Sequence, residues 1–443
     1  MLNETLHHFV PKWFYNRVIL VAFSLTFVYL FDVNFNTLIV EKFEYFGFRR
    51  TKLDLIDILF VKVIVVFNCF FLPSKINRAS EFLNLFLFLF IYLPSSVVLF
   101  SVRADWMSKT DALNMFFVLS ICIFIISLFS KLPLARLKLI VVPRTFFILI
   151  NVVFFLLFIV IFIESLSNFK VFGLSQLSSL NETRQTHSIS GIYIYFYLWI
   201  ITFFLGLFLG EFKRVNQKVR LLGLSIIYFV FAFSMGAKIL LVAPFVFCFV
   251  VIWAKFFSRR TFVFFAAFVS FFLLINLVSI LSPDVGFAIS ALFTFRTLSI
   301  SSLSFVIYFD YFSTHNFTDF SHVGFVNSIS NLFSLFTIEH SPLPVVLGKE
   351  YGLGNFNASF FVNDGYASFG YAGMFIVTII YSLILYLIDC VTRTVDRAVV
   401  LLSLTYYGMY LGNISLFTLL ISHGLIFVIF YYYLFSRYLT SEI

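Results

Sequence analysis

Four titratable side chains fall within fifteen positions of the run YFDYFSTHNFTDFSH (308–322): Asp310, His315, Asp319 and His322. Carboxylates and imidazoles are the groups that move protons near neutral pH. His315, Asp319 and His322 recur at i, i+4 and i+7, which is one face of a helix and a spacing open to a metal ion. No fourth ligand stands at a diagnostic spacing, so no metal is expected. The Thr, Asn and Asp of the same run are turn formers, which leaves acid–base work, sugar contact and a solvated loop all open. Arg296 precedes Asp310 by fourteen residues. On an unbroken helix the two share a face but stand ~21 Å apart along the axis. Each then needs another partner: a ligand, water or, for Arg296, lipid headgroups.

Further candidates are spread along the chain. Arg184 lies in NETRQTHS beside His187, and Lys349 in LGKEYGLG. Arg103 and Lys109 share a short loop. Lys238 follows SMGA, where a cation at a helix end can hold a lipid phosphate or serve as a plain interfacial anchor. Asn357 and Asp364 lie in GNFNASFFVNDGYASFGYAGMF (354–375), with Tyr351 just before it; turn chemistry gives most of this stretch a structural role, while its Asn, Asp and Tyr groups also suit contact with a sugar. Gly370 and Gly373 allow close helix approach. Lys62 falls well inside an apolar run, with Asp54, Asp57 and Glu164 nearer the ends of theirs. An ionisable group at such depth is costly and is a functional candidate by default. His423 is alone in its run and reads as a satisfied interior group.

The elements that must position these residues are membrane helices. The chain has 443 residues, 61% hydrophobic and 12% charged, about half the charge of a soluble domain. Its apolar runs approach 20 residues, the length a bilayer core requires. The 69 phenylalanines need no special role on surfaces that face lipid. Cys69, Cys122, Cys248 and Cys390 all fall inside these runs and read as small apolar residues. No A-x-A site follows the first run, so no cleaved signal peptide is expected. The net charge of +9 reads as a topology signal rather than a nucleic-acid signature.

The expected fold is all-α and polytopic, a single integral membrane domain over 1–443. About 12 transmembrane helices are placed near 17–33, 53–72, 82–101, 112–130, 145–164, 190–210, 219–235, 239–257, 261–281, 370–390, 397–411 and 414–435. Lys and Arg concentrate in alternate loops, which puts both termini in the cytoplasm. EKFEYFGFRRTK (41–52) is a cation-rich exception on the outer side. A large, partly helical outer loop then spans 282–369 between the ninth and tenth helices. Within it, 287–312 is apolar enough to pack as a helix along the membrane face or dipping into it.

Several features resemble the Wzy-type O-antigen polymerases, which join bacterial oligosaccharide repeat units. They are the twelve-helix plan with one large late loop, the junction SMGAKILLVAP (234–244), and the stretch from FRTLSISSLSFVIYFDYFS (295–313) through GKEYGLGNFNASFFVNDGYASFGYAGM (348–374). The detailed likeness covers about a quarter of the chain. It implies an enzyme of the bacterial inner membrane, working at the periplasmic face. Such an enzyme moves a growing glycan from one polyprenyl diphosphate carrier onto the terminal sugar of another carrier-linked repeat unit. In that reading Arg296, Asp310 and His322 are catalytic. Lys238, Lys349 and Arg184 hold the diphosphate, and Tyr351, Asn357 and Asp364 hold glycan. No cofactor is implied. The partners are polyprenyl-diphosphate-linked oligosaccharides, membrane lipid, and a chain-length regulator and flippase of the same pathway. Competing readings are a lipid-linked oligosaccharide flippase, an O-antigen ligase and a general transporter.

Overall fold

The computed structural model describes residues 12–49, 53–138, 140, 142–167, 193–211, 216–235, 239–324, 342–354 and 356–439. These residues are mostly helical, as expected, because a chain this apolar must satisfy its backbone groups internally. In chain order the helices are α1 (Phe14–Ile39), α2 (Leu55–Phe71), α3 (Ala79–Val98), α4 (Lys109–Phe129), α5 (Arg144–Ser167), α6 (Ile194–Glu211), α7 (Gln217–Met235) and α8 (Ile239–Phe256). They continue with α9 (Thr261–Leu281), α10 (Pro283–Thr314), α11 (Leu343–Glu350), α12 (Phe361–Val391), α13 (Arg397–Tyr410), α14 (Leu416–Ile421) and α15 (Leu425–Phe435). Each of the twelve expected segments is helical over most of its described residues, the last of them broken at 422–424. Among the described residues eleven helices are long and apolar enough to cross a membrane. That set includes α10 and leaves out the 17-residue α2 and the 14-residue α13.

The chain divides into two compact units. The first comprises Met1–Leu132, Arg259–Tyr386 and Met409–Phe417, and the second Pro133–Ser258, Leu387–Gly408 and Thr418–Ile443. In the second unit α5 is largely exposed, as a lipid-facing helix is, and Tyr431 reaches it with a 3.0 Å bond to Asn151. The His423 carbonyl accepts from Thr202 Oγ1 (2.9 Å) and Tyr407 Oη (2.6 Å) at the break between α14 and α15. The His423 side chain is buried.

In the first unit α3 is the central helix, buried over 94% of its span. Its polar residues bond to neighbours on several sides. Asn84 Nδ2 donates to Ser127 Oγ on α4 (2.8 Å), Tyr92 Oη accepts from Asn68 on α2 (3.0 Å), and Ser95 Oγ donates to Ser302 Oγ on α10 (3.1 Å). Small polar contacts of this kind join helices where apolar burial gives no preference between helix and lipid.

α10 does not pass through the unit. Phe295 on its first half stacks on Phe43 (4.0 Å) and packs edge-on to Phe46 (4.9 Å), both in the α1–α2 loop. Its far end, at Asp310, meets Tyr351, whose ring packs on Trp106 of the α3–α4 loop. Those two loops lie side by side, joined by the Phe48–Val102 bridge and by Arg103 N donating to the Gly47 carbonyl (2.9 Å). Both ends of α10 therefore belong to the same end of the unit, although its length and composition alone would let it cross.

The two ends of the first unit differ in charge. One end gathers Lys75, Arg78, Lys131, Arg259 and Arg260. There Arg78 Nη1 donates to the carbonyls of Ser130 (2.7 Å) and Leu132 (2.6 Å), and Ile76 N to that of Arg259 (2.9 Å). The other end carries Arg49, Arg103, Lys109 and Lys349 among Asp54, Asp57, Asp105, Asp111, Asp310 and Glu350.

Candidate functional site at one end of the first unit

Asp310 sits in the last turn or so of α10. Tyr351, just after α11, donates its phenol to Asp310 Oδ2 at 2.5 Å. Burial first, then this bond, holds the Tyr351 phenol well above its usual range, so it stays a donor. The Tyr351 ring meets Trp106 edge to face, with centroids 5.3 Å apart. Arg103 lies over the Trp106 ring at 5.4 Å, pairs with Asp105 through two bonds of 2.7 and 3.1 Å, and is within electrostatic reach of Asp310. Its bond to Asp105 raises the Arg103 pKa and lowers that of Asp105, so both stay charged.

Loop chemistry explains how Trp106 is placed. Gly47 has φ +81°, and a Cβ there would lie 2.0 Å from the Trp106 ring. Only glycine permits both the left-handed turn and the flat contact. Nearby, Lys109 Nζ ties the starts of α2 and α4 together through Asp54 (2.6 Å) and Asp57 (2.5 Å).

A second cluster forms where the chain leaves α10 and reaches α12. Residues 315–322 are not helical, so His315, Asp319 and His322 do not share a helical face. His315 instead stacks on Tyr311 at 4.0 Å. Asp319 and Phe320 adopt positive φ. His322 Nδ1 bonds Thr318 Oγ1 (2.6 Å), and Thr318 caps the Ala367 carbonyl through both N (2.8 Å) and Oγ1 (3.0 Å). Among the described residues no three His, Cys, Asp or Glu side chains converge on a metal position.

Asp364 takes the structural role, not the sugar contact. It is fully buried, and its oxygens accept from Ser415 Oγ (2.6 Å), Asn363 Nδ2 (3.1 Å) and the backbone N–H of Leu416. Those bonds cap the start of α14 and leave no oxygen facing a sugar. Tyr308 Oη bonds Asn363 Oδ1 (2.8 Å) and fixes the same turn of α12. The helix then kinks at Phe369–Gly370. Gly365 and Gly373 close up across the kink, since a Cβ on Gly373 would lie 2.0 Å from the Gly365 carbonyl oxygen.

The structure thus brings Asp310 and Tyr351 together and places His322 in the neighbouring cluster. Lys349 is exposed at the end of α11, beside Val345 and Val346. Asn357 is exposed as well. Arg296 is exposed on the π-helical stretch Ala291–Ser299, where Thr297 and Ser299 side chains bond carbonyls five residues back. That wider turn shifts the register, so Arg296 and Asp310 do not follow the shared face of an ideal α-helix. Lys238, Arg184 and His187 lie outside the described residues. Lys62 is exposed on the outer face of α2. Trp106 and Asp105 were not among the residues singled out from sequence. The only signal was their place beside Arg103 in a short loop.

Neither a family model, nor a curated protein, nor a solved structure matches the chain.

Proposed function

We propose that the chain is a membrane glycosyltransferase that polymerises lipid-linked oligosaccharide repeat units. One observation carries this reading. In a chain that is otherwise membrane-spanning, a hydrogen-bonded carboxylate, two aromatic rings and an arginine gather at one end of the first unit. Trp and Tyr rings offer flat apolar faces, with polar edges, to a sugar. Asp310 is the base that takes the proton of the acceptor hydroxyl. That oxygen attacks the anomeric carbon of the donor glycan, and the bond to the carrier diphosphate breaks with its electron pair leaving on the phosphate. Arg103 stands where that charge develops, with Lys349 and Arg296 as further cations on the same end. Lys238 and Arg184 complete the candidate set for the diphosphate. Tyr351 keeps Asp310 oriented, and α10 with its flanking loops holds two lipid-linked substrates in register.

The Lys- and Arg-rich end is the cytoplasmic one by the positive-inside rule. The cluster then faces the periplasm of a bacterial inner membrane, and a chain-length regulator and a flippase are its expected partners. A flippase would need cations around an internal cavity, whereas Lys62 faces outward.

The test is reconstitution of the purified chain with polyprenyl-diphosphate-linked repeat units and no other protein. A ladder of longer glycans supports the reading. Translocation of the substrate across the vesicle without any ladder assigns the chain to transport instead.

A further inference from the structure

The outer face of α2 is apolar from end to end except at one position. Leu55, Ile56, Leu59, Phe60, Val63 and Phe67 are all exposed, and Lys62 is exposed among them. Lys62 makes no hydrogen bond or close ion pair with a described residue. Among the described residues its charged neighbour is Asp32 on the adjoining helix α1, near enough to act electrostatically but not in contact. Asp32 is partly buried and is held by Asn36 Nδ2 at 2.7 Å. The two charges lie at the same depth. Lys62 is seven residues from the start of α2 and Asp32 seven from the end of α1, roughly 10 Å of helix in each case. A cation at that depth is costly, and a close pairing with an opposite charge offsets the cost.

We propose that this face of α1 and α2 seats a second copy of the same chain, with Lys62 of each copy paired to Asp32 of the other. A two-fold interface is self-complementary: if residue i meets j, then j meets i. In a membrane the two-fold axis runs along the bilayer normal, so paired residues must lie at equal depth, as these do. An exposed cation beside a partly buried carboxylate of opposite charge meets both demands, and the surrounding Leu, Ile and Phe supply the packing. An anionic lipid fits less well, because Asp32 would repel its phosphate. This dimer is independent of the proposed catalytic reading.

The test uses full-length chains carrying two different tags, with copies counted by single-molecule photobleaching in vesicles of phosphatidylcholine alone. Wild type is expected to be dimeric. Lys62→Glu alone and Asp32→Lys alone each place two like-charge pairs in the interface, so the dimer fraction falls by roughly tenfold or more. Lys62→Gln and Asp32→Asn lower it less and guard against misfolding of the reversals. Co-expressing Lys62→Glu with Asp32→Lys restores a mixed dimer, since each introduced charge then meets its opposite on the other copy. Monomeric wild type overturns the proposal. So does a mixed pair no better than its parts, which would assign the pairing to a single chain. A dimer that needs added phosphatidylglycerol also overturns it and gives Lys62 a lipid phosphate.

Discussion

Asp310 stands one turn from the C-terminal end of α10, where the helix dipole disfavours a carboxylate. The Tyr351 phenol and the nearby Arg103 offset that cost. A purely structural position would more readily hold a neutral or basic residue. Replacing Asp310 by Asn should lower the polymerisation rate by about 10²–10⁴, the usual worth of a positioned base, with little change in melting temperature. Tyr351→Phe removes one bond to a charged group, worth about 1.5–3 kcal/mol, or roughly ten- to hundredfold in rate if Asp310 is left misaligned. The phenol pKa is raised on folding, so its stabilising contribution is fully present below the ordinary tyrosine value near 10 and is lost only as pH climbs through the folded value. Activity should therefore show no falling limb from Tyr351 between pH 6 and 9. An alkaline limb in that range that vanishes in Tyr351→Phe would contradict the assignment. At this scale the sequence exposed Asp310 and Tyr351 through their types. It hid Trp106, because nothing local shows that a loop 200 residues upstream meets α10.

The helices place these residues through their irregular parts. Gly47 lets the α1–α2 loop turn under Trp106. Gly47→Ala costs about 1–2 kcal/mol in backbone alone and also drives Cβ into the indole. The expected result is a displaced Trp106, read as a changed fluorescence maximum, together with loss of activity. An unchanged spectrum would show that the loop does not seat the ring. Asp364 makes a contrasting prediction. Its removal as Asp364→Ala leaves buried donors unpaired and should cost about 3–5 kcal/mol, a clear drop in melting temperature. A sugar contact would instead leave stability intact and raise KM. The existence of these helices follows from apolar runs of membrane length. The π-helical turns at 291–299 and 361–366 did not show in those runs, because a shift of register leaves composition unchanged. The first of them undoes the shared-face reading of Arg296 with Asp310. The His315–His322 spacing failed for a related reason: a period has meaning only where the chain is helical.

Across the first unit, one end carries mainly cations and the other mixes them with carboxylates, and α10 rests across the mixed end. The alternation of Lys and Arg between loops anticipated this, since insertion reads that bias rather than the fold. In a background with the four native cysteines replaced, Asn357→Cys should react in intact cells with a thiol reagent that cannot cross the inner membrane. Lys131→Cys should react only after that membrane is opened. The reverse pattern would turn the cluster toward the cytoplasm and end the periplasmic reading. The most direct test of the central claim compares wild type with Asp310→Asn on lipid-linked repeat units, both reconstituted at equal folded amounts. The account predicts a glycan ladder from wild type and none from the variant, with substrate binding retained. An undiminished ladder from Asp310→Asn would contradict it.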